Sequence, residues 1–196
     1  MILWTIQPEE VYELIQNTGV YHCDFSRSML SDMSLQYNWL VEQMKKRIGD
    51  PPTGVTYPVW AWYCWEGARK KPDLRRERWG NGVKGDRFVC LEIDIPDEKV
   101  LLSDFDAWSI ILLSGLLSVS EKEDDELQAT YDALTPEDQW KMMSKNWEDV
   151  FNLKEIDNDW VHRGNSIQAT FWELRKEQIC KVRTFTSAFV MPKRDI

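Results

Sequence analysis

At residues 57–65 the chain reads Tyr57-Pro58-Val59-Trp60-Ala61-Trp62-Tyr63-Cys64-Trp65. Aromatic and β-branched residues favour β-strands, so this stretch predicts a strand, and Pro58 predicts that the strand lies at the edge of its sheet. Trp60 and Trp62 are two residues apart and therefore share one face of the strand. Two roles are open for these indoles, packing in the core and stacking on a planar ligand.

A basic segment, residues 67–87, follows the aromatic strand directly. It contains eight Lys or Arg against three Asp or Glu. Guanidinium groups bind phosphates and indoles stack on bases, so Arg69, Arg75 and Arg76 predict a phosphate clamp beside the strand. A solvated loop is the alternative. We expect residues 80–85 to form a surface loop, because this glycine-rich stretch lacks the Gly-Lys-Ser/Thr ending of a phosphate-binding loop.

Length and charge limit the choice of partners. The chain has 196 residues, the size of one folded domain, and we expect residues 1–196 to form that domain. The formal net charge of −9 at pH 7 argues against non-specific binding to nucleic acid or to an anionic membrane. A polyanionic partner should therefore contact the basic segment rather than the whole surface.

Motifs for metal binding and membrane insertion are absent from the sequence. The four cysteines are scattered without a Cys-x-x-Cys pair and the chain has two histidines, so we predict no metal site. Three of the four lie in apolar, strand-like runs, where we predict reduced, buried thiols. No stretch approaches the ~18 apolar residues of a transmembrane helix, and the amino terminus lacks the pattern of a signal peptide. We expect a cytoplasmic protein with no membrane partner.

Apolar periodicity predicts strands towards both ends of the chain, with helices between them. The predicted strands cover residues 2–6, 57–65, 88–95, 167–174 and 179–185, and the predicted helices begin near residues 8, 32, 103 and 135. The acidic run at residues 121–126 is predicted as a loop. This order indicates an α+β fold, a single domain with a split, mostly antiparallel sheet and flanking helices.

Five segments spread over the chain carry a family resemblance. They read Leu3-Trp4-Thr5-Ile6-Gln7, Gly19-Val20, Tyr57-Pro58-Val59-Trp60-Ala61-Trp62, Val100-Leu101-Leu102-Ser103-Asp104-Phe105-Asp106-Ala107-Trp108 and Ile167-Gln168-Ala169-Thr170-Phe171-Trp172. Together they resemble the domain of unknown function 3841 family of bacterial proteins, and the match covers nearly the whole chain. That resemblance implies no activity.

The order of the elements is more distantly similar to that of ADP-ribosyltransferases and their DNA-modifying relatives. These have a first strand, a helix that ends in Gly and a late strand with a Gln-x-Glu motif, where this chain has Gln168-Ala169-Thr170. In that superfamily a polar residue of the first strand holds the nicotinamide ribose, an aromatic or hydroxyl residue supports the nicotinamide, and the Glu stabilises an oxocarbenium ion. The resemblance implies an ADP-ribosyltransferase-like fold with NAD as the cofactor.

The same resemblance assigns site residues on three strands: Thr5 and Gln7 on the first, Trp60 and Tyr63 on the aromatic strand, and Gln168 and Thr170 on the late strand. Thr170 stands where the Glu is expected and cannot carry a negative charge. The nearest carboxylate is Glu173, whose offset of three residues places it on the opposite strand face.

These residues predict a protein that binds a nucleotide or an NAD-like small molecule. The predicted reaction is ADP-ribosyl transfer or hydrolysis of an N-glycosidic bond, with Gln168, Thr170 and Thr5 in the catalytic set. The predicted cofactor-binding residues are Gln7, Trp60, Tyr63, Arg69, Arg75 and Arg76. The alternative is a non-catalytic module that binds nucleic acid or a protein partner through the Trp-rich and basic surface.

Overall fold

The computed structural model describes residues 1–24 and 33–190, and these residues form an α+β fold. In chain order the elements are β1 (Ile2–Pro8), α1 (Glu9–Thr18), β2 (Val20–Tyr21), α2 (Ser34–Ile48), β3 (Val59–Cys64), α3 (Leu74–Gly80), β4 (Arg87–Asp94), β5 (Leu101–Asp104), α4 (Phe105–Leu112), α5 (Glu121–Asp132), α6 (Pro136–Asn146), β6 (Ile156–Asp157), β7 (His162–Arg163), β8 (Ile167–Phe171), β9 (Leu174–Arg175) and β10 (Ile179–Thr186). Within the described ranges, no helix has the length and apolar character needed to cross a membrane.

Six of the strands form the main sheet in the order β10-β4-β1-β3-β8-β5, and each neighbouring pair is antiparallel. This arrangement confirms the predicted α+β class and antiparallel sheet. β3 lies inside the sheet, so the edge position predicted from Pro58 is wrong. Pro58 comes just before the first residue of the strand, where a missing N–H is tolerated.

The sheet separates two apolar clusters. One face packs against α1, and Ile15, Leu91 and Phe171 are buried there. The other face packs against α2, α4 and the segment around α6, where Trp108 and Trp147 are buried. Because each face of a central sheet must be covered, the helices are divided between the two sides and the sheet is the middle layer.

Several predicted helix ends are confirmed in detail. Gly19 ends α1 with a left-handed φ of 85°, a conformation that glycine adopts without strain, and its N–H donates to the Ile15 carbonyl at 2.9 Å. Asp104 caps α4 by accepting a hydrogen bond from the Ala107 N–H at 2.8 Å. α2 begins at Ser34, and residue 32, where the sequence places its start, lies outside the described residues.

Two helices form where the sequence predicts loops. The acidic run belongs to α5, which Ser120 caps by accepting from the Glu123 N–H. Part of the basic segment forms α3, which Asp73 caps by accepting from the Arg75 N–H. Neither helix has a buried residue, so the apolar stripe by which helices are recognised in sequence is missing from both.

The strand predicted at residues 88–95 is covered on both faces at its centre. Val89, Leu91 and Ile93 are fully buried on one face, as their alternation predicts. Cys90, on the opposite face, is also 0% exposed, so the predicted half-buried strand is corrected there. The added cover comes from the side of α3, because Ser187 after β10 donates to the Arg78 carbonyl and holds this helix over the strand ends.

Candidate functional site

β1 and β3 are neighbours in the sheet, but they separate along their length. In the part of the chain that the structure describes, their register consists of one Cα pair, Trp4 opposite Trp62. Beyond that pair, one side chain bridges the strands, because Thr5 Oγ1 donates to the Trp60 carbonyl oxygen at 2.8 Å; within β1, Gln7 Nε2 donates to Thr5 Oγ1 at 2.9 Å. The six strands form one continuous sheet across this boundary rather than the predicted split sheet, and we call the boundary between β1 and β3 the seam.

A cleft of about 320 Å³ lies along the seam, and we call it the seam cleft. It is lined by Trp4, Thr5, Ile6 and Gln7 of β1, Trp60, Ala61 and Trp62 of β3, Gln168 of β8, and Glu77, Gly80 and Asn81 at the end of α3. Four residues that the sequence predicts as site residues meet here, namely Thr5, Gln7, Trp60 and Gln168.

Two buried polar atoms of the cleft residues have no hydrogen-bond partner among the described residues. They are the donor Trp60 Nε1 and the acceptor Gln168 Oε1. Roughly nine in ten buried polar groups in proteins are hydrogen-bonded, so each exception needs an explanation. Ser103 Oγ is a third such atom, and Ser103 stands directly opposite Gln168 in the pairing of β5 with β8. A donor, an acceptor and a hydroxyl therefore lie unpaired on one face of neighbouring strands.

Two of the three indoles that line the cleft, those of β3, are held by other aromatic rings. The Trp60 ring centroid lies 5.3 Å from that of Trp108, within the cluster under α2 and α4. The Trp62 ring meets Trp65 at 4.4 Å and Phe105 at 5.2 Å. Such edge and tilted contacts restrict ring rotation, so this part of the cleft is formed before any ligand arrives.

The wall opposite the strands is the end of α3. Asn81 Nδ2 donates to the Glu77 carbonyl oxygen at 2.9 Å and to Glu77 Oε2 at 3.0 Å, and these bonds close the helix. Within residues 1–24 and 33–190, Glu77 is the one carboxylate that lines the cleft. The wall thus places a negative charge and an amide across from the unpaired atoms of β3 and β8.

Tyr63 and Arg69 do not line the cleft, and the Arg69 guanidinium carbon lies 5.7 Å from the centre of the ring of Trp4, which does. Tyr63 occupies the face of β3 opposite to Trp60 and Trp62, because successive side chains of a strand alternate. The Arg69 guanidinium carbon lies 3.6 Å from the centre of the Tyr63 ring, and Arg69 Nη1 donates to the carbonyl oxygens of Tyr63 and, at 3.1 Å, of Ile2. The charge of Arg69 is therefore already engaged within the protein.

Arg75 and Arg76 line a different groove, of about 870 Å³, at the start of α3. Arg75 donates to both carboxylate oxygens of Asp73 at 3.0 and 2.8 Å, and these bonds hold the pKa of that carboxyl well below its usual range. Arg76 pairs with Glu66 at 3.2 Å. Both pairs are exposed and therefore weak, so the groove remains accessible to an anion.

Thr170 and Glu173 do not line the cleft. Thr170 is 0% exposed, and its hydroxyl donates to the Leu101 carbonyl oxygen at 3.3 Å. Glu173 lies beyond the end of β8, where it accepts a hydrogen bond from Arg175 at 2.7 Å and contacts His22 Nε2 at 3.2 Å. Neither Thr170 nor Glu173 therefore supplies the cleft with the carboxylate that ADP-ribosyltransferases carry at the position of Thr170.

Sequence reasoning missed several residues of the site. Trp4 shares the sheet face of Gln168, which follows only from the pairing of three strands distant in sequence; Trp62, for which the sequence left packing and ligand stacking open, lies on the same face. Glu77 and Asn81 depend on α3, for which the one available signal was the helix-capping residue type of Asp73. Groups of three or more His, Cys, Asp or Glu that can hold a metal ion do not occur in the described ranges.

Comparison with known proteins adds a family. A family model described as domain of unknown function (DUF3841) matches residues 2–180, which confirms the resemblance carried by the five sequence segments. No curated protein and no solved structure matches the chain. The ADP-ribosyltransferase-like fold and the use of NAD therefore stay predictions.

Proposed function

The chain belongs to the DUF3841 family, and we propose that its seam cleft binds the base of a nucleotide or of an NAD-like ligand. One observation carries this proposal: a buried donor, Trp60 Nε1, and a buried acceptor, Gln168 Oε1, are both unpaired within the described residues, and both residues line the seam cleft. A protein that leaves both atoms unpaired loses stability, and a ligand that pairs both restores it.

The chemistry of the two atoms favours a planar ligand with an amide-like edge. Such an edge presents an acceptor for the Trp60 indole N–H beside a donor for the Gln168 amide oxygen, as a carboxamide and many nucleobases do. A volume of about 320 Å³ lies at the lower end of the roughly 300–1,000 Å³ typical of small-molecule sites, and suits one ring system rather than a whole dinucleotide. The rest of a larger ligand would extend beyond the cleft.

The proposed reaction is ADP-ribosyl transfer or hydrolysis at an N-glycosidic bond. Support for an ADP-ribosyltransferase-like arrangement comes from the order of the elements and from the seam, which opens beside the strands that carry Thr5 and Gln168. In this proposal Glu77 replaces the Glu that ADP-ribosyltransferases carry on the late strand. Its carboxylate would stabilise the positive charge that develops on the ribose. Gln7 and Thr5, joined by a hydrogen bond, would orient the sugar.

Calorimetry tests the binding step. Purified protein is titrated with NAD, adenosine and nicotinamide, and Gln168→Met is compared with Gln128→Met, a matched substitution on the exposed surface of α5. We expect Gln168→Met to weaken binding by about tenfold, the value of one neutral hydrogen bond, and Gln128→Met to leave it unchanged. Absence of binding to all three ligands, or equal affinities of both variants and the wild type, would remove the proposal.

A nicotinamide-release assay tests the reaction separately. Glu77→Gln keeps the size of the side chain and removes its charge, so we expect binding of NAD to persist while release of nicotinamide stops. Nicotinamide release that is unaffected by Glu77→Gln would exclude this carboxylate. NAD binding without any release in the wild type would leave a binding protein and discard the reaction.

The second candidate function uses the groove at the start of α3. Trp65, Lys70, Lys71, Arg75 and Arg76 line it, and Trp79 of the same helix is 60% exposed. This combination favours a non-catalytic module that binds single-stranded nucleic acid by stacking and phosphate contacts. Salt distinguishes the two functions, because binding to a phosphate backbone weakens steeply as salt rises, while a small ligand in the seam cleft should lose less affinity.

A further inference from the structure

Two rows of residues cross the sheet from the seam cleft to β10, on the face that carries Trp4. The rows are Trp4, Glu92 and Lys181, and Ile6, Cys90 and Arg183. Directly opposite residues of antiparallel strands project from the same face, so the members of each row are neighbours there. Since Trp4 and Ile6 line the cleft, Lys181 and Arg183 stand two strands away from it.

Arg183 carries an unpaired donor. Its Nη1 atom is buried and donates no hydrogen bond to any described residue. The nearest carboxylate atom, Glu92 Oε2, is 3.9 Å away. Glu92 already accepts hydrogen bonds from Lys181 at 2.6 Å and from Trp4 Nε1 at 3.3 Å, which lower the pKa of its carboxyl. The guanidinium of Arg183 therefore has a long ion pair with Glu92 and no hydrogen bond at Nη1, within the described residues.

The surroundings of Arg183 hold more positive than negative charge. Lys71, Arg183, Glu77 and Glu92 all lie close enough to Cys90 to act on the pKa of its thiol. With Lys181 on Glu92, three cations face two carboxylates. Glu77 is also a wall residue of the seam cleft, so the charged cluster and the cleft share a border.

We infer that Arg183 anchors a phosphate-binding subsite beside the seam cleft, so that the ligand is a nucleoside phosphate. This inference rests on the proposed function. Neighbouring strands are about 4.8 Å apart, so Arg183 lies about 10 Å from β1, a separation suited to a base and its 5′-phosphates. The planar guanidinium also presents paired N–H groups that match phosphate oxygens.

The subsite differs from the phosphate clamp that the sequence predicts. Arg69, Arg75 and Arg76 are held by backbone carbonyls or carboxylates, whereas Arg183 has an unpaired donor. The side chain of Arg183 is 39% exposed, so part of it is open to solvent, while its Nη1 atom is buried. We therefore assign phosphate recognition to β10 rather than to the basic segment as a whole.

Titration with adenosine, ADP and inorganic pyrophosphate tests the subsite. Arg183→Gln is compared with Arg47→Gln, a matched substitution on α2, and thermal unfolding confirms that both variants are folded. We expect the wild type and Arg47→Gln to bind ADP at least about tenfold more tightly than adenosine. We expect Arg183→Gln to bind ADP no more tightly than adenosine and not to bind pyrophosphate, while its affinity for adenosine stays at the wild-type value.

The outcomes separate this inference from the proposed function. Equal affinities of the wild type for adenosine and ADP would overturn the subsite and leave the base-binding cleft standing. Pyrophosphate binding that requires Arg183, without any adenosine binding, would support the subsite and remove the base-binding proposal. Equal losses in Arg183→Gln and Arg47→Gln, or no binding of ADP and pyrophosphate, would overturn the subsite.

Discussion

Replacing Gln168 by Met should stabilise the ligand-free protein. Methionine has nearly the shape of glutamine but carries no amide, so the substitution removes the unpaired buried Oε1 atom without creating a large cavity. Thr170→Val is the matched control, because Thr170 lies two residues away on the same face of β8 and its hydroxyl is paired with the Leu101 carbonyl oxygen. One substitution removes an unsatisfied group and the other removes a hydrogen bond.

The expected changes have opposite signs. A buried polar group without a partner costs about 1–3 kcal/mol, and the lower end applies to Gln168 because its side chain is only partly buried. We therefore expect Gln168→Met to raise the free energy of unfolding by about 1 kcal/mol, which corresponds to a rise in Tm of about 2–4 °C for a chain of this size. Loss of the Thr170 hydrogen bond should lower both quantities by similar amounts.

Urea titration followed by tryptophan fluorescence measures both variants, and calorimetry gives their Tm. A loss of stability in Gln168→Met similar to that in Thr170→Val would mean that the amide oxygen is paired in the free protein, for example with the hydroxyl of Ser103. In that case the unpaired donor and acceptor would no longer argue for a ligand, and the base-binding proposal would lose its main support.

Other substitutions test the fold and the cysteines. Arg163→Met should lower the free energy of unfolding by about 3 kcal/mol, because Arg163 is 1% exposed and donates to Asp149 at 2.8 Å; a loss below about 1 kcal/mol in urea titration would show that this pair contributes little. Gly164→Ala should cost at least about 2 kcal/mol, since φ is 87° and the added methyl would lie 2.5 Å from a backbone carbon of the opposing segment; an unchanged Tm would contradict this. A thiol reagent at neutral pH should label Cys180, which is exposed, long before Cys90, whose thiol has its pKa raised to about 11 by burial; mass spectrometry of the native protein that finds early label on Cys90 would refute the burial argument.

Local patterns predicted those parts of the fold that depend on neighbours in sequence. The alternation of Val89, Leu91 and Ile93 identified a buried strand face, and Asp104 identified a helix start. Both signals act over a few residues, because side-chain alternation and capping are properties of single elements. The helices α3 and α5 lacked such signals, since neither buries an apolar side chain.

These local patterns did not predict the order of the strands in the sheet. The residues of β3 indicated a strand, yet its place between β1 and β8 depends on pairing with segments at both ends of the chain. For the same reason, the meeting of Thr5, Trp60 and Gln168 at one cleft followed from a family resemblance and not from spacing. Long-range pairing is set by the packing of whole faces, which short windows of sequence do not contain.

Charged side chains were the least predictable part of the site. A run such as Arg75 and Arg76 reads as a free basic patch, but the structure gives each a carboxylate partner. Arg183 gave no sequence signal, although its Nη1 atom is a buried donor without a hydrogen-bond partner among the described residues. Whether a charged side chain can bind a ligand depends on its partners within the protein, and these partners are distant from it in sequence.

The seam has a mechanical consequence. A sheet joined along β1 and β3 at a single Cα pair, within the described residues, has less backbone pairing at that boundary than at its others, so we expect its two parts to move relative to each other more readily there. Such movement would change the width of the seam cleft without breaking the backbone pairing inside either part. A ligand bound in the seam cleft would contact both parts of the sheet and restrict their relative movement. We therefore expect its binding to slow amide hydrogen exchange on strands that it does not contact.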